Sequence, residues 1–352
     1  MTADPALIMD ELQTLRRKVD FDTFDVLLQQ LLTMIGSNAI KVAPAYQRQF
    51  RWESSRCSQL IESIFLGIPV PSLFMATDLD GTWELVDGVQ RISAIVKFCG
   101  GKELREKMKL NGELVLEGLE KLEHFNGLKF HELPANVQLQ FHTRPIKIVT
   151  LSDKSDEIVR FDLFERLNRG GVNLSDQEIR DCVFRGAFAD LLEELAKDQN
   201  FSHVIRLTPL QRRDGTKEEC VLRFFAFFHR YKKFVHSVRD FLNDYMKSAR
   251  RKFDYKAGEK LFRDTFLQLA NALQHGIVRP GKWKRDTTPL NLFEGIAVGA
   301  ALAIKKSGKL GGGDPYKWMR DTELYNATTG ATNNPSAVKK RIEYCRDRFL
   351  GK

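Results

Sequence analysis

The spacing of apolar residues changes along this chain, and that change constrains the fold more than any other feature. Before residue 151, apolar residues lie in short runs bounded by Gly, Pro and Asp, which is typical of strands mixed with helices. After residue 155, they recur every three or four positions in segment after segment, which is typical of amphipathic helices. We therefore expect an α/β domain followed by a mostly α-helical region, with a boundary near residue 200.

Local signals place the individual elements. Strands are expected at 72–77 and 82–86 around an Asp80-Gly81 turn, a strong hairpin signal, and again at 145–151. The segment 102–135 is expected to contain short strands and loops. A short strand is expected at 40–43, and helices at 5–18, 22–35, 54–66, 88–98, 155–168, 175–184, 186–198, 217–234, 238–252, 257–275, 289–306 and 335–350. This predicts N-terminal helices over 1–37, an α/β domain over 38–200 and a basic helical domain over 201–352.

Charge is distributed unevenly between the two halves of the chain. Residues 1–202 contain 24 Lys and Arg against 31 Asp and Glu, whereas residues 203–352 contain 31 against 15. The overall net charge of +9 therefore hides a half of −7 and a half of +16. A strongly basic half indicates a polyanionic partner such as DNA, although a generally basic surface is an alternative explanation.

Several classes of protein do not fit the sequence. The five cysteines form no CxxC pair, and the seven histidines show no HxH or HxxxH spacing, so we expect neither a disulfide framework nor a histidine-ligated metal. No apolar run approaches the roughly 18 to 20 residues that a membrane helix needs. The acidic residues Asp4, Asp10 and Glu11 occur where a secretory signal would be basic and then apolar, so we expect a cytoplasmic protein.

The first candidate site is Asp87-Gly88-Val89-Gln90-Arg91, between a predicted strand and a predicted helix. Asp87 as N-cap and Gln90 three residues later would form a capping box, which explains these two residues without any ligand. That explanation leaves out Gly88 and Arg91, since Gly weakens a first turn and the helix dipole opposes Arg there. A strand-to-helix turn with free N–H groups, a Gly and an Arg is suited to binding phosphate. Both interpretations remain open on the residues alone.

A second candidate lies between Tyr46 and Trp52. Arg48 and Arg51 alternate with aromatic residues there, a mixture suited to stacking on a base while the guanidinium groups contact phosphate. The alternative is that the aromatic residues belong to the core and the arginines extend along its surface.

A third candidate lies where a predicted helix ends near Gly-Gly and Ser175 caps the next helix with Glu178. A helix–loop–helix corner explains most of this pattern, and leaves Arg166, Asn168 and Arg180 available to a site.

Basic clusters in the second half are candidates for contacts to DNA phosphates that do not depend on sequence. They occur at 212–213, 230–233, 247–252, 282–285 and 339–341. The aromatic residues between 224 and 234 have helical spacing, which is more typical of a core than of a base-stacking surface. The residues predicted to contact DNA are Arg51, Arg212, Arg213, Arg250, Arg251, Lys252, Lys284 and Arg285.

Together, the three motifs resemble the N-terminal domain of GmrSD-type restriction endonucleases, a ParB- and sulfiredoxin-like family that acts on modified phage DNA. The family's Tyr-Gln-Arg…Trp, Asp-Gly-Gln-Gln-Arg and Arg-x-Asn-x-Gly-Gly…Gln-Glu-x-Arg signatures correspond here to residues 46–52, 87–91 and 166–180. The resemblance spans residues 38–190. Two departures matter: Val89 replaces the first Gln, and no His-Asn-His nuclease motif follows residue 200.

The resemblance implies a nucleotide-binding, nucleotide-hydrolysing protein that associates with DNA. Catalytic roles would fall to Asp87, Gln90 and Arg91, with Asp87 also a candidate ligand of Mg²⁺ that accompanies a nucleoside triphosphate. Nucleotide contacts would come from Gly88, Tyr46, Gln47, Arg48, Arg166 and Asn168. A separate His-Asn-His nuclease subunit is an expected partner. The alternatives are a non-catalytic DNA-binding or regulatory module with a vestigial site, and a DNA nickase acting through Asp87.

Overall fold

The computed structural model describes residues 4–15, 20–42, 52–78, 80–152, 161–163, 165–166, 175–279 and 287–352. The chain divides into two compact units, residues 1–173 and 174–352. In the described ranges no helix is both long enough and apolar enough to cross a bilayer.

The first unit is built on a five-stranded mixed sheet. Its strands are β1 (Phe21–Leu27), β2 (Ile40–Lys41), β3 (Leu73–Thr77), β4 (Trp83–Asp87) and β5 (Pro145–Leu151). Its helices are α1 (Pro5–Leu15), α2 (Leu28–Gly36), α3 (Ser54–Leu66), α4 (Val89–Cys99), α5 (Lys102–Lys107) and α6 (Ala135–His142), with 3-10 turns at Glu123–Phe125 and Phe130–Glu132. The predicted α/β class is confirmed.

The sheet has the order β1-β5-β3-β4-β2. β3 lies at its centre, parallel to β5 on one side and antiparallel to β4 on the other. The β3–β4 hairpin is the predicted one: Gly81 has a φ of 80°, and the Asp80 carboxylate accepts the Thr82 N–H at 3.0 Å. Because β4 ends at Asp87 and α4 begins at Val89, the candidate phosphate motif lies at the end of a strand buried within the sheet.

Two predictions for this unit are wrong. Residues 22–27 form β1 rather than the first turns of a helix, because they pair along their whole length with β5, from Phe21 opposite Leu151 to Leu27 opposite Pro145. This long-range pairing cannot be seen in a local pattern. Residues 102–135, which the structure describes in full, contain no strand but instead the short helix α5 and two 3-10 turns.

The second unit is helical, as predicted. Its helices are α7 (Asp176–Val183), α8 (Ala187–Leu195), α9 (Gln199–Val204), α10 (Thr216–Arg230), α11 (Val238–Lys252), α12 (Tyr255–Ala272), α13 (Leu290–Ser307), α14 (Pro315–Trp318), α15 (Thr322–Thr328) and α16 (Pro335–Phe349). The aromatic stripe of α10 is core, since Phe224, Phe225 and Phe227 are fully buried. Glycine lets α13 approach α16 closely: a Cβ on Gly299 would come within 2.7 Å of the Arg346 nitrogen.

The division between the units falls earlier than the predicted boundary at residue 200. α7 lies in the helical unit because Arg180, only 1% exposed, donates to Asn243 of α11 at 2.8 Å and to Glu219 of α10 at 3.0 Å. These contacts bring the end of the third motif into the helical core.

Candidate functional site

The junction between β4 and α4 is shaped by Gly88. This residue has a φ of 107°, in the left-handed region, and a Cβ added to it would lie 2.3 Å from Cδ2 of Leu73. Only glycine fits there without movement of the core or of the backbone. α4 then begins at Val89, and its N-cap residue Gly88 provides no side chain to cap the first turn.

Asp87 and Arg91 form an ion pair across this turn. Nη2 of Arg91 donates to Oδ2 of Asp87, while Nη1 donates to the carbonyl of Pro71 at 2.8 Å. The Arg91 side chain is 11% exposed and that of Asp87 is 30% exposed. The structure therefore holds the guanidinium at the helix N-terminus by two acceptors, one of which is a partly exposed carboxylate.

The predicted capping box is not formed. Asp87 bonds Arg91 rather than a backbone N–H of the first turn, and the side-chain oxygen of Gln90 accepts from the backbone N–H of Trp52 at 3.3 Å. This second contact brings the last residue of the Tyr46–Trp52 motif against the Asp87–Arg91 motif. The other predicted site residues of that motif, namely Tyr46, Gln47, Arg48 and Arg51, lie outside the described residues.

The first turn of α4 can accept an anion. Intrahelical hydrogen bonding begins with Ile92, whose N–H bonds the Gly88 carbonyl at 2.9 Å, so the preceding N–H groups have no partner within the helix. Anions are stabilised at such a terminus by the N–H groups and the helix dipole. Val89, where the family has Gln, is only 9% exposed.

The third motif is divided between the two units. Arg166 is exposed on helical backbone in the first unit, and within the described residues it shares no bond with Asp87 or Arg91. Asn168 lies outside the described residues. The capping box of Ser175 with Glu178 is confirmed, and Arg180 is buried within the helical unit.

The predicted DNA-binding residues lie on more than one part of the helical unit. Arg212 and Arg213 lie in the turn before α10, and Arg250, Arg251 and Lys252 form the last turn of α11. Arg213, Arg251 and Lys252 are exposed and make no ion pair with any carboxylate that the structure describes. Lys284 and Arg285 lie outside the described residues. Residues 174–352 contain 34 Lys and Arg against 22 Asp and Glu, a net charge of +12.

Local sequence patterns missed three contributors to the site. The Pro71 carbonyl, the Leu73 side chain and the Trp52 backbone N–H all contact the motif. Pro71 and Trp52 contribute backbone atoms, which carry no residue-specific signal. Leu73 contributes through the packing of its side chain. The only signal for Leu73 was Gly88 itself, since a glycine between a strand and a helix indicates that something approaches closely.

One family model matches a range that begins in the first unit and ends in the second. Residues 28–185 match the family model described as "GmrSD restriction endonuclease, N-terminal domain". The matched range contains β2 to β5 and includes the Asp87–Arg91 motif. Over these 158 of the 352 residues, the chain is therefore similar to the GmrSD N-terminal family.

Two further comparisons were less informative. A search of curated proteins finds no significant match. Among solved structures, a Pnob8-like ParB-N domain aligns over 94% of this chain and 97% of its own length, with 11% identity and a TM-score of 0.22. A TM-score that low supports no conclusion about fold or function.

Proposed function

We propose that this chain is a DNA-associated component of a GmrSD-like restriction or phage-defence system that binds and hydrolyses a nucleoside triphosphate. The observation that carries the proposal is the Asp87–Arg91 pair at the N-terminus of α4, where the N-cap residue is Gly88 and so provides no capping side chain. It lies inside the residues that match the family.

The residues present fit a phosphate well. The first-turn N–H groups of α4 and the Arg91 guanidinium provide donors within one turn of each other. Arg91 would keep its bond to Pro71 through Nη1 while Nη2 exchanges Asp87 for a phosphate oxygen. The ion pair therefore keeps the arginine in position until an anion competes for it.

The fit to a divalent ion rests on one carboxylate. The described residues contain no group of three or more His, Cys, Asp or Glu side chains that could hold a metal. Mg²⁺ is commonly bound by one or two carboxylates together with substrate phosphates, and Asp87 would supply such a carboxylate once Arg91 leaves it. The ion would neutralise phosphate charge, and Asp87 and Gln90 would orient the attacking water.

DNA association is proposed for the helical unit. Its net charge of +12 and the exposed Arg213, Arg251 and Lys252 favour sequence-independent phosphate contacts. A salt titration of binding to duplex DNA tests this part. Affinity should fall steeply between 50 and 200 mM salt, because each phosphate contact releases counterions. A flat dependence would contradict it.

Phosphate release tests the nucleotide site. We expect release from one or more nucleoside triphosphates in Mg²⁺, altered by DNA and abolished in Arg91→Ala. Arg105→Ala is the matched control, because Arg105 also bonds one carboxylate, Glu113, at 2.7 Å and one backbone carbonyl, Gly100. Gly100 lies at the opposite end of α4. Equal loss in both variants would indicate damage to the fold rather than to a site.

The Asp87–Arg91 pair also favours a second candidate, a non-catalytic DNA-binding or regulatory module. Both side chains already have a partner, so the pair can serve as a purely structural clamp on the β4–α4 turn. This candidate predicts no release of phosphate under any condition and DNA binding unchanged in Asp87→Ala. A supercoiled plasmid included in the same assays tests the third hypothesis, a DNA nickase acting through Asp87, because a nick relaxes the plasmid.

A further inference from the structure

A cavity in the helical unit lies apart from the Asp87 motif in sequence. It has a volume of about 560 Å³ and is lined by residues from α10, α11, α12 and α13 and from the α11–α12 connection. This size falls within the range of small-molecule and cofactor pockets. Six of its lining residues give it its chemistry: Phe228, Arg230, Tyr245, Lys252, Phe253 and Lys305.

The apolar wall of the cavity contains aromatic rings held in place by packing. The ring of Phe253 lies 4.7 Å from that of Phe188 and 5.1 Å from that of Phe225, measured between centroids. Room for Phe253 depends on Gly258, since a Cβ there would come within 2.4 Å of the ring. A flat, half-buried ring that cannot move away is a surface on which a second flat ring can stack.

Three cations line the same cavity. The Arg230 guanidinium lies 5.3 Å from the centroid of the Tyr245 ring and donates to the Ser248 hydroxyl at 2.6 Å, so it is held in place. Lys252 and Lys305 are exposed, and Lys305 lies 5.5 Å from the centroid of the Phe228 ring.

Two carboxylates offset part of this charge. Asp254 and Asp264 also line the cavity, and Asp254 caps α12 by accepting the Ala257 N–H at 3.0 Å. The fourth basic side chain, His229, does not add to the cations at neutral pH, because burial, followed by the charges of Lys305 and Arg230, lowers its pKa. The cavity therefore has three cations against two carboxylates, and an anionic ligand is favoured.

We propose that this cavity binds one nucleotide unit, with its base against the aromatic wall and its phosphate against Arg230, Lys252 and Lys305. Stacking on aromatic side chains beside basic residues is how proteins hold single nucleotides with little preference for sequence. The same chemistry is offered by a free nucleotide and by an unpaired nucleotide of DNA. In the second case the inference rests on the DNA association proposed above.

Fluorescence of 2-aminopurine tests the proposal, because stacking on an aromatic ring quenches it. The probes are 2-aminopurine deoxyribonucleoside monophosphate, duplex DNA with one unpaired 2-aminopurine, and the same duplex fully paired. With the full chain we expect quenching by the free monophosphate, by the unpaired base, or by both, and not by the paired base. Quenching by the monophosphate identifies a free nucleotide as a ligand, and quenching only by the unpaired base identifies a strand.

Lysine variants test whether the nucleotide phosphate binds in this cavity. The double variant Lys252→Ala with Lys305→Ala should weaken binding about tenfold, because it removes two exposed cation–phosphate contacts. The matched control is Lys256→Ala with Lys306→Ala, which removes the same charge from exposed positions outside the cavity. The control should change affinity less than about twofold.

Three results would overturn the proposal. One is the absence of quenching with either probe, and another is equal weakening in the double variant and its control. The third is quenching that survives the double variant and disappears in Arg91→Ala, which places the nucleotide at the Asp87 motif and supports the proposed function instead.

Discussion

Arginine and carboxylate meet in different ways in the two units. In the first unit, Arg91 bonds a single carboxylate, Asp87, which is 30% exposed. In the second, Glu294 lies between Arg223, 2.5 Å away, and Arg341, and both Glu294 and Arg341 are 0% exposed. The buried triad belongs to a longer network that continues through Glu219 to Arg180.

The Glu294 network is structural, whereas the Asp87–Arg91 pair can exchange its carboxylate for another anion. Buried charges have no water to replace a lost partner, so the network can only hold helices together. A partly exposed pair contributes little to stability and can exchange one partner for another anion at small cost. Arg91 and Arg223 are equally exposed, at 11%, so the difference lies in the carboxylate partner: Asp87 is 30% exposed and Glu294 is 0% exposed.

The largest effect is expected for Glu294→Gln. Loss of this carboxylate leaves two arginine side chains buried with one negative partner fewer, which should destabilise the helical unit by about 3 to 5 kcal/mol. Hydrogen exchange of the α13 amides measures this locally. Glu193→Gln is the control, since it breaks an exposed pair with Lys197 at 2.8 Å and should cost less than about 1 kcal/mol. Similar losses of stability in both variants would show that a buried ion pair costs no more to break here than an exposed one.

Gly88→Ala should have the next largest effect. A residue with a Cβ at this φ is strained, and its Cβ would clash with Leu73, so we expect a cost of about 2 to 3 kcal/mol, seen as faster exchange of α4 amides. Gly36→Ala is the control, because no atom lies within 4 Å of the Cβ it would add. An unchanged α4 in Gly88→Ala would show that the junction tolerates rearrangement.

The buried carboxyl of Asp181 should make the stability of the helical unit depend on pH. Burial raises its pKa to about 7, although a hydrogen bond from Gln177 at 2.8 Å lowers it in part. The folded state therefore keeps a proton that the unfolded state loses near pH 4, and stability falls as pH rises from about 4 to 7. Since the residue keeps partial exposure, we expect a fall of about 2 kcal/mol that Asp181→Asn removes.

The measurement for Asp181 is urea unfolding between pH 5 and 8, monitored by exchange of α7 amides. Asp190→Asn, an exposed substitution with the same charge change, is the control and should leave the pH dependence as in the wild type. A wild-type curve that is flat over this range would contradict the raised pKa.

The smallest effect is expected for Asp87→Asn. The pair is partly exposed, and Arg91 keeps its bond to Pro71, so the cost to stability should be below about 1 kcal/mol. The same variant should bind inorganic phosphate more tightly, because the carboxylate no longer competes for the guanidinium. Equilibrium dialysis with radiolabelled phosphate measures it. A cost as large as that of Glu294→Gln would make this pair structural too.

Periodicity and turn chemistry predicted most of the fold. The β3–β4 hairpin, β5 and the helices α7, α8, α10 to α13 and α16 follow from local patterns of apolar residues, whereas the short helices α9, α14 and α15 were not predicted. β1 did not, because Phe21–Leu27 is a strand only through its pairing with β5, more than a hundred residues away. The resemblance to the GmrSD N-terminal family over residues 38–190 is confirmed by the match over 28–185.

The sequence places the candidate residues Asp87 and Arg91 in one turn but does not predict their bonds. Asp87 and Arg91 share a turn, as expected, yet they bond each other instead of leaving Asp87 as a cap. The fate of Arg180 was open in the sequence, since only the tertiary partners Glu219 and Asn243 decide that it is buried. Charge and spacing identify candidate groups, whereas their partners depend on distant parts of the chain.

The close contact of α13 with α16 has a consequence for how this protein is made. Gly299 meets the backbone of Arg346, a residue that the ribosome adds 47 positions later. At typical rates of synthesis α13 therefore waits roughly 2 to 10 s for its partner, with an apolar, glycine-lined face uncovered. The sheet of the first unit is complete far earlier, once residue 151 has emerged. An apolar face of the nascent helical unit therefore stays uncovered for seconds, which is long enough for a chaperone to bind it.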